Sequence, residues 1–169
     1  MRLILLFLLM INSICAFSQT DEDEEPVLSP KILALDTTLS VANKFNDEIS
    51  KVAAGYTQAF TDRSRPKTIV QVYKTDENET LKIEYKFTTD GGDSEDSQGK
   101  PLVNFQKITG DVTVISKIYN YLFNATVEPA QISAVSTVGT EISYKGQMHQ
   151  LILEPDDYSP GYWSLIFVR

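Results

Sequence analysis

The stretch LKIEYKF, Leu81 to Phe87, alternates without a break. Leu81, Ile83, Tyr85 and Phe87 are apolar or aromatic, and Lys82, Glu84 and Lys86 between them are charged. A period of two over this length fits a strand with one face in a core and the other in water, so the chain must build a sheet packed on at least one side. A second run begins at Lys67, where Val70 and Val72 alternate with Ile69, Gln71 and Tyr73. The short polar link Asp76 to Glu79 joins the two runs as a hairpin.

The rest of the chain is read against that sheet. Leu35, Leu39, Ala42, Phe45, Ile49, Val52 and Tyr56 recur at steps of four and three, the spacing of one helix face, with Lys44, Asp47, Glu48 and Lys51 opposite. Asp36 or Thr37 caps the start of that helix, and Gly55 supplies its stop. Thr88 to Pro101 is polar and reads as a long surface loop, followed by a short strand around Val103 to Ile108. In DVTVISKIYNYLFN the β-branched content favours a strand. The length, the Asp111 cap and the spacing of Val112, Ile115, Ile118, Tyr119 and Leu122 favour a helix, which is the reading adopted. Four strands are expected after it, at Ile132 to Val138, Glu141 to Tyr144, Gln147 to Leu153 and Tyr162 to Val168, with Lys145-Gly146 as a tight turn. The expected fold is α+β: an antiparallel β-sheet with an N-terminal amphipathic helix and a second helix packed on one face. A helix followed by a hairpin occurs twice, the form of a tandem α-β-β arrangement, although no residue-level repeat underlies it.

The first residues, MRLILLFLLMINSICAFSQ, have the order of a secretory leader: Arg2, an apolar run from Leu3 to Met10 too short to span a bilayer, and small residues at Ala16 and Ser18. Cleavage is expected before Gln19. Lipidation at Cys15 is the competing reading, but Ile14 is not the small residue such sites need before the cysteine. The organisation is therefore a signal peptide at 1–18, an acidic flexible tail at 19–34 and a single α+β domain at 35–169, secreted or periplasmic. Removing the leader takes Arg2 from the 15 basic residues and leaves 14 against 23 acidic ones, a net charge of −9. That charge argues against nucleic acid and anionic membranes, which need basic patches. No later stretch is apolar enough for stable membrane insertion once the leader is gone.

Without its leader the chain has one histidine and no cysteine. Thiol catalysis, iron–sulfur clusters, cysteine zinc sites and two-histidine metal motifs are thereby excluded. His149 shares a strand face with Leu151 and Leu153, which marks it as structural rather than as a catalytic base. There is no G-x-S-x-G elbow and no phosphate-binding glycine loop. The acids Asp90, Asp93, Glu95 and Asp96 miss the register of a calcium loop. No catalytic residue, metal or cofactor is assigned.

The densest chemistry is EPDDYSPGYW, Glu154 to Trp163. Its prolines and glycine read as a turn between the last two strands. Asp156, Asp157, Tyr158, Tyr162 and Trp163 are the candidate ligand-binding residues, pairing carboxylates with flat rings. The function expected is a non-catalytic exported module that binds a protein, a glycan or a small ligand. The alternative is a glycosidase-like hydrolase using the carboxylates of 154–157, which needs one acid with a raised pKa and one ionised. Asn78-Glu79-Thr80 and Asn124-Ala125-Thr126 are N-glycosylation sequons if the chain meets that machinery.

Overall fold

The computed structural model describes residues 52–88, 102–144 and 147–169, without the side chain of Tyr144. The residues read as a leader and an acidic tail, all but the end of the segment read as a helix over 35–56, and the segment read as a loop from Asp90 to Gly99 lie outside these residues.

The described chain is α+β. Seven strands, β1 (Thr57–Asp62), β2 (Thr68–Lys74), β3 (Thr80–Phe87), β4 (Val103–Asp111), β5 (Val138–Tyr144), β6 (Gln147–Pro155) and β7 (Tyr162–Val168), form one sheet in the order β1-β2-β3-β4-β7-β6-β5. Every neighbouring pair is antiparallel. Two helices, α1 (Val112–Phe123) and α2 (Pro129–Ser133), carry the chain from β4 at the centre to β5 at the far edge. The sheet is thus two meanders, β1 to β4 and β5 to β7, joined along the β4–β7 seam.

The alternation in β3 works as its pattern demands. Leu81, Ile83 and Tyr85 are fully buried, and their cross-strand partners continue one packed face through Ile108 on β4 and Leu165 on β7. Helix α1 covers this face. Val114, Ile115, Ile118 and Leu122 are buried along one side of it, and Ile132 of α2 joins the same core. Each such aliphatic side chain contributes roughly 1.5–3 kcal/mol by leaving water.

Helix α1 begins where the sequence says it should. The Asp111 side chain accepts from the Thr113 N–H at 2.7 Å, and the carbonyl of Gly161 accepts from the Val112 N–H at 3.1 Å. Two of the four amide donors orphaned at a helix start are therefore held, one of them by the β6–β7 turn. At the other end Asn124 takes the left-handed conformation with φ of 47°. The Asn120 amide then bonds both the N–H and the carbonyl of Val127, at 2.7 and 2.9 Å, which pins the chain leading into α2.

Two readings of the sequence are corrected. Residues 132 and 133 end α2, and the strand starts only at Val138. Pro129 at the first helical position, with Glu128 and Gln131 bonding reciprocally across the helix start, outweighs the β-branched residues that follow. Strand β1 went unread because its side chains follow no apolar alternation. It is an exposed edge strand broken by a bulge between Gln58 and Phe60.

A candidate binding groove on the open face of the sheet

Among the described residues no element covers the second face of the sheet, and the strand registers arrange its side chains in rows. One row crosses from Phe60 through Val72, Lys82, Thr109 and Ser164 to Glu154. The next runs Asp62, Val70, Glu84, Lys107, Ile166 and Ile152. Ion pairs lace the rows together. Glu84 takes Arg65 at 3.4 Å on one oxygen and Lys86 at 3.5 Å on the other, while Lys107 meets Glu154 at 3.6 Å. The Lys86 ammonium also lies 4.2 Å from the centre of the Phe105 ring, a cation–π contact.

Over β1 to β4 this face is concave. A groove of about 500 Å³ has an apolar floor at Val70 and Val72, and Lys82, Glu84, Lys107 and Thr109 run along its length. Asp62 and Arg65 close one end, and Asp156, Tyr158 and Ser159 of the β6–β7 turn form a wall. A smaller recess of about 190 Å³ adjoins it at Lys82, Thr109 and Ser159, and adds Thr80 and Tyr162. The groove has aromatic rims. Phe60 is 54% exposed and Tyr158 is 93% exposed, and both border the same cavity.

The turn is built by backbone bonds. Asp156 N–H donates to the Tyr162 carbonyl at 2.9 Å, Tyr162 N–H donates to the Ser159 carbonyl at 3.0 Å, and Gly161 takes a φ of 82° that side chains resist. It divides the five candidate residues of the sequence among four surroundings. Asp156 and Tyr158 line the large groove, and Tyr162 lines the recess. Asp157 is exposed and borders neither cavity. Trp163 points to the opposite, helix-covered face, where it is 6% exposed and lies across from Gly110.

Two details fix the chemistry available. The Thr109 and Ser164 hydroxyls bond each other at 2.8 Å in the middle of the face, where both residues are buried beside the longer Lys82 and Glu154. The Tyr162 hydroxyl accepts from the Thr80 N–H at 3.2 Å, which holds the ring at the recess and leaves its own hydrogen to donate. At the end of the groove the Ser64 amide bonds the Asp62 carboxylate at 2.8 Å and holds its pKa below the usual carboxylate range.

Sequence reasoning found the wall of this groove and missed its floor. Phe60, Val72, Lys82 and Thr109 come from four strands, and only the sheet brings them together. One local signal was present: Val70 and Val72 in β2 are apolar on the side opposite Ile69 and Tyr73, so that strand has something apolar on both faces. His149 is buried on the covered face, away from the groove. Among the described residues no three His, Cys, Asp or Glu side chains gather as a metal site, and no helix is long and apolar enough to cross a membrane. The chain matches no protein-family description, no curated protein and no solved structure.

Proposed function

We propose that the chain is an exported, non-catalytic binding module, secreted or periplasmic, that takes its ligand in the groove on the open face of the sheet. One observation carries the reading: two of the three large apolar side chains most exposed among the described residues, Phe60 and Tyr158, border the same cavity. Exposed rings gathered around a concavity mark contact sites more often than scattered ones do. The mixed rings, ion pairs and hydroxyls suit a small ligand, a glycan or a peptide side chain, and the leader supports export.

The hydrolase alternative rests on the carboxylates of 154–157, of which only Asp156 lines the groove, and the groove's other acids, Asp62 and Glu84, are poorly placed for proton donation. Both oxygens of Glu84 are held by cations, and the bond from Ser64 lowers the pKa of Asp62, where a general acid needs it raised. In the same reading an amphipathic helix leads up to the turn at Ala54-Gly55 and packs on one face of the sheet, in a tandem α-β-β arrangement. It is supported by Ala53 and Tyr56, at the end of that segment, which belong to the core.

Glycan and peptide arrays probed with the labelled full chain test the binding reading. Binders should be lost when Phe60→Ala and Tyr158→Ala are combined, with the melting temperature unchanged, since both side chains are exposed. Undiminished binding by that double variant would move the ligand off the groove. Turnover of a glycoside or peptide that Asp156→Asn abolishes would favour the hydrolase.

A further inference from the structure

We infer that the ligand of this groove is a monocarboxylate with an apolar or aromatic body, its carboxylate seated on Lys82 in the recess and its body on Val70, Val72 and the Phe60 ring. The inference rests on the groove being the binding site.

The cations that line the groove, Arg65, Lys82 and Lys107, differ in one respect. Arg65 and Lys86 are held by Glu84, and Lys107 by Glu154. Lys82 lies in the row between Val72 and Thr109, is exposed, and has no ion pair among the described residues. Around it the recess is lined by Thr80, Thr109, Ser159 and Tyr162; the Thr80 hydroxyl donates to the Asn78 carbonyl at 3.4 Å and the Thr109 hydroxyl bonds Ser164 at 2.8 Å, so Ser159 and Tyr162 supply the hydroxyl donors. Hydroxyls and an ammonium together donate to a carboxylate, and charge-assisted bonds of this kind are about twice as strong as neutral ones. Tyr162 is already oriented, because its oxygen accepts from Thr80 and its hydrogen remains to donate. Lys82, Thr109 and Ser159 line the recess and the larger groove alike, so an anion at the ammonium is continuous with the apolar floor.

The charge of the ligand follows from the neighbours. Asp62 and Asp156 border the same groove, and a single unpaired ammonium offsets a single negative charge. A dianion such as a phosphate monoester would keep one charge that Lys82 does not offset, beside those two carboxylates, whereas Lys82 offsets the one charge of a monocarboxylate. A neutral ligand of the same shape leaves the ammonium without an anionic partner.

The test uses 2-naphthoate and its neutral isostere 2-naphthamide as probes, titrated into the isotopically labelled full chain at neutral pH and followed by amide chemical shifts. The expected result is movement of the Lys82, Thr109 and Ser159 signals, with the carboxylate binding about tenfold more tightly than the amide, as one charge-assisted contact implies. Lys82→Gln should erase that preference and Lys82→Arg should keep it, each with an unchanged melting temperature because the side chain is exposed. Equal binding of the two probes in the groove, or a preference that survives Lys82→Gln, overturns the carboxylate inference and leaves the groove as a binding site. Saturating shifts elsewhere, or none with either probe, overturn the groove and this inference together.

Discussion

Asp157 in the β6–β7 turn and Trp163 at the start of β7 stand six residues apart and have opposite surroundings. The indole is 6% exposed and faces Gly110 across the seam, while Asp157 is exposed to solvent. Trp163→Ala should therefore cost about 3–5 kcal/mol in urea unfolding, the range for a buried large aromatic. Asp157→Asn should stay within about 0.5 kcal/mol, as surface changes do. Tyrosines set the alkaline behaviour. Burial, with Tyr73 beside it, pushes the Tyr85 hydroxyl well above the usual tyrosine range, and burial with the Glu79 carboxylate does the same to Tyr56. Tyrosines of the unfolded chain ionise near about pH 10, so above that pH the unfolded state releases protons that the folded state keeps. The contribution of these tyrosines to stability is then steady below about pH 10 and is lost as the pH rises beyond it. Urea midpoints measured on both sides of that pH should show the fall, and Tyr85→Phe should make it shallower.

At the scale of elements, the seating of α1 on the sheet depends on an absence. A β-carbon at Gly110 would lie 2.7 Å from Val114 Cγ1 and 3.0 Å from Leu81 Cδ1, so α1 approaches β4 only because that side chain is missing. Gly110→Ala should destabilise by about 1–3 kcal/mol, the usual range for overpacking, and should loosen α1 first in amide exchange. Asn120→Ala leaves the N–H and carbonyl of Val127 without that partner and should cost about 1–3 kcal/mol. These elements also show what the sequence displays and what it conceals. Strand β3 and helix α1 were legible because a period of two and a helical spacing coincide with real burial, β2 and β7 because apolar and aromatic residues run along both of their faces, and Asp111 is the cap its position suggested. Helix α2 was hidden by its five-residue length, too short for periodicity, and the capping pair Glu128 and Gln131 was its readable mark. Strand β1 was hidden because an exposed edge buries nothing that a pattern could record. The groove was least legible, since Phe60, Val72, Lys82 and Thr109 become neighbours only through strand pairing.

For the molecule as a whole, strand order matters more than any one contact. Strand β7 lies between β4 and β6, yet it follows both in the sequence. Until it is in place, the meander β1 to β4 and the meander β5 to β6 share no hydrogen-bonded seam, and β4 and β6 each present an open edge. A chain shortened to end before Tyr162 should show no cooperative unfolding transition by circular dichroism, however much local helix it keeps. For a polypeptide threaded N-terminus first through a narrow pore, this order acts as a timer. In such a passage every residue up to Val168 must emerge before the seven-stranded sheet can close. Its last stitch is β7, from Tyr162 to Val168, which zips one edge to β4 and the other to β6.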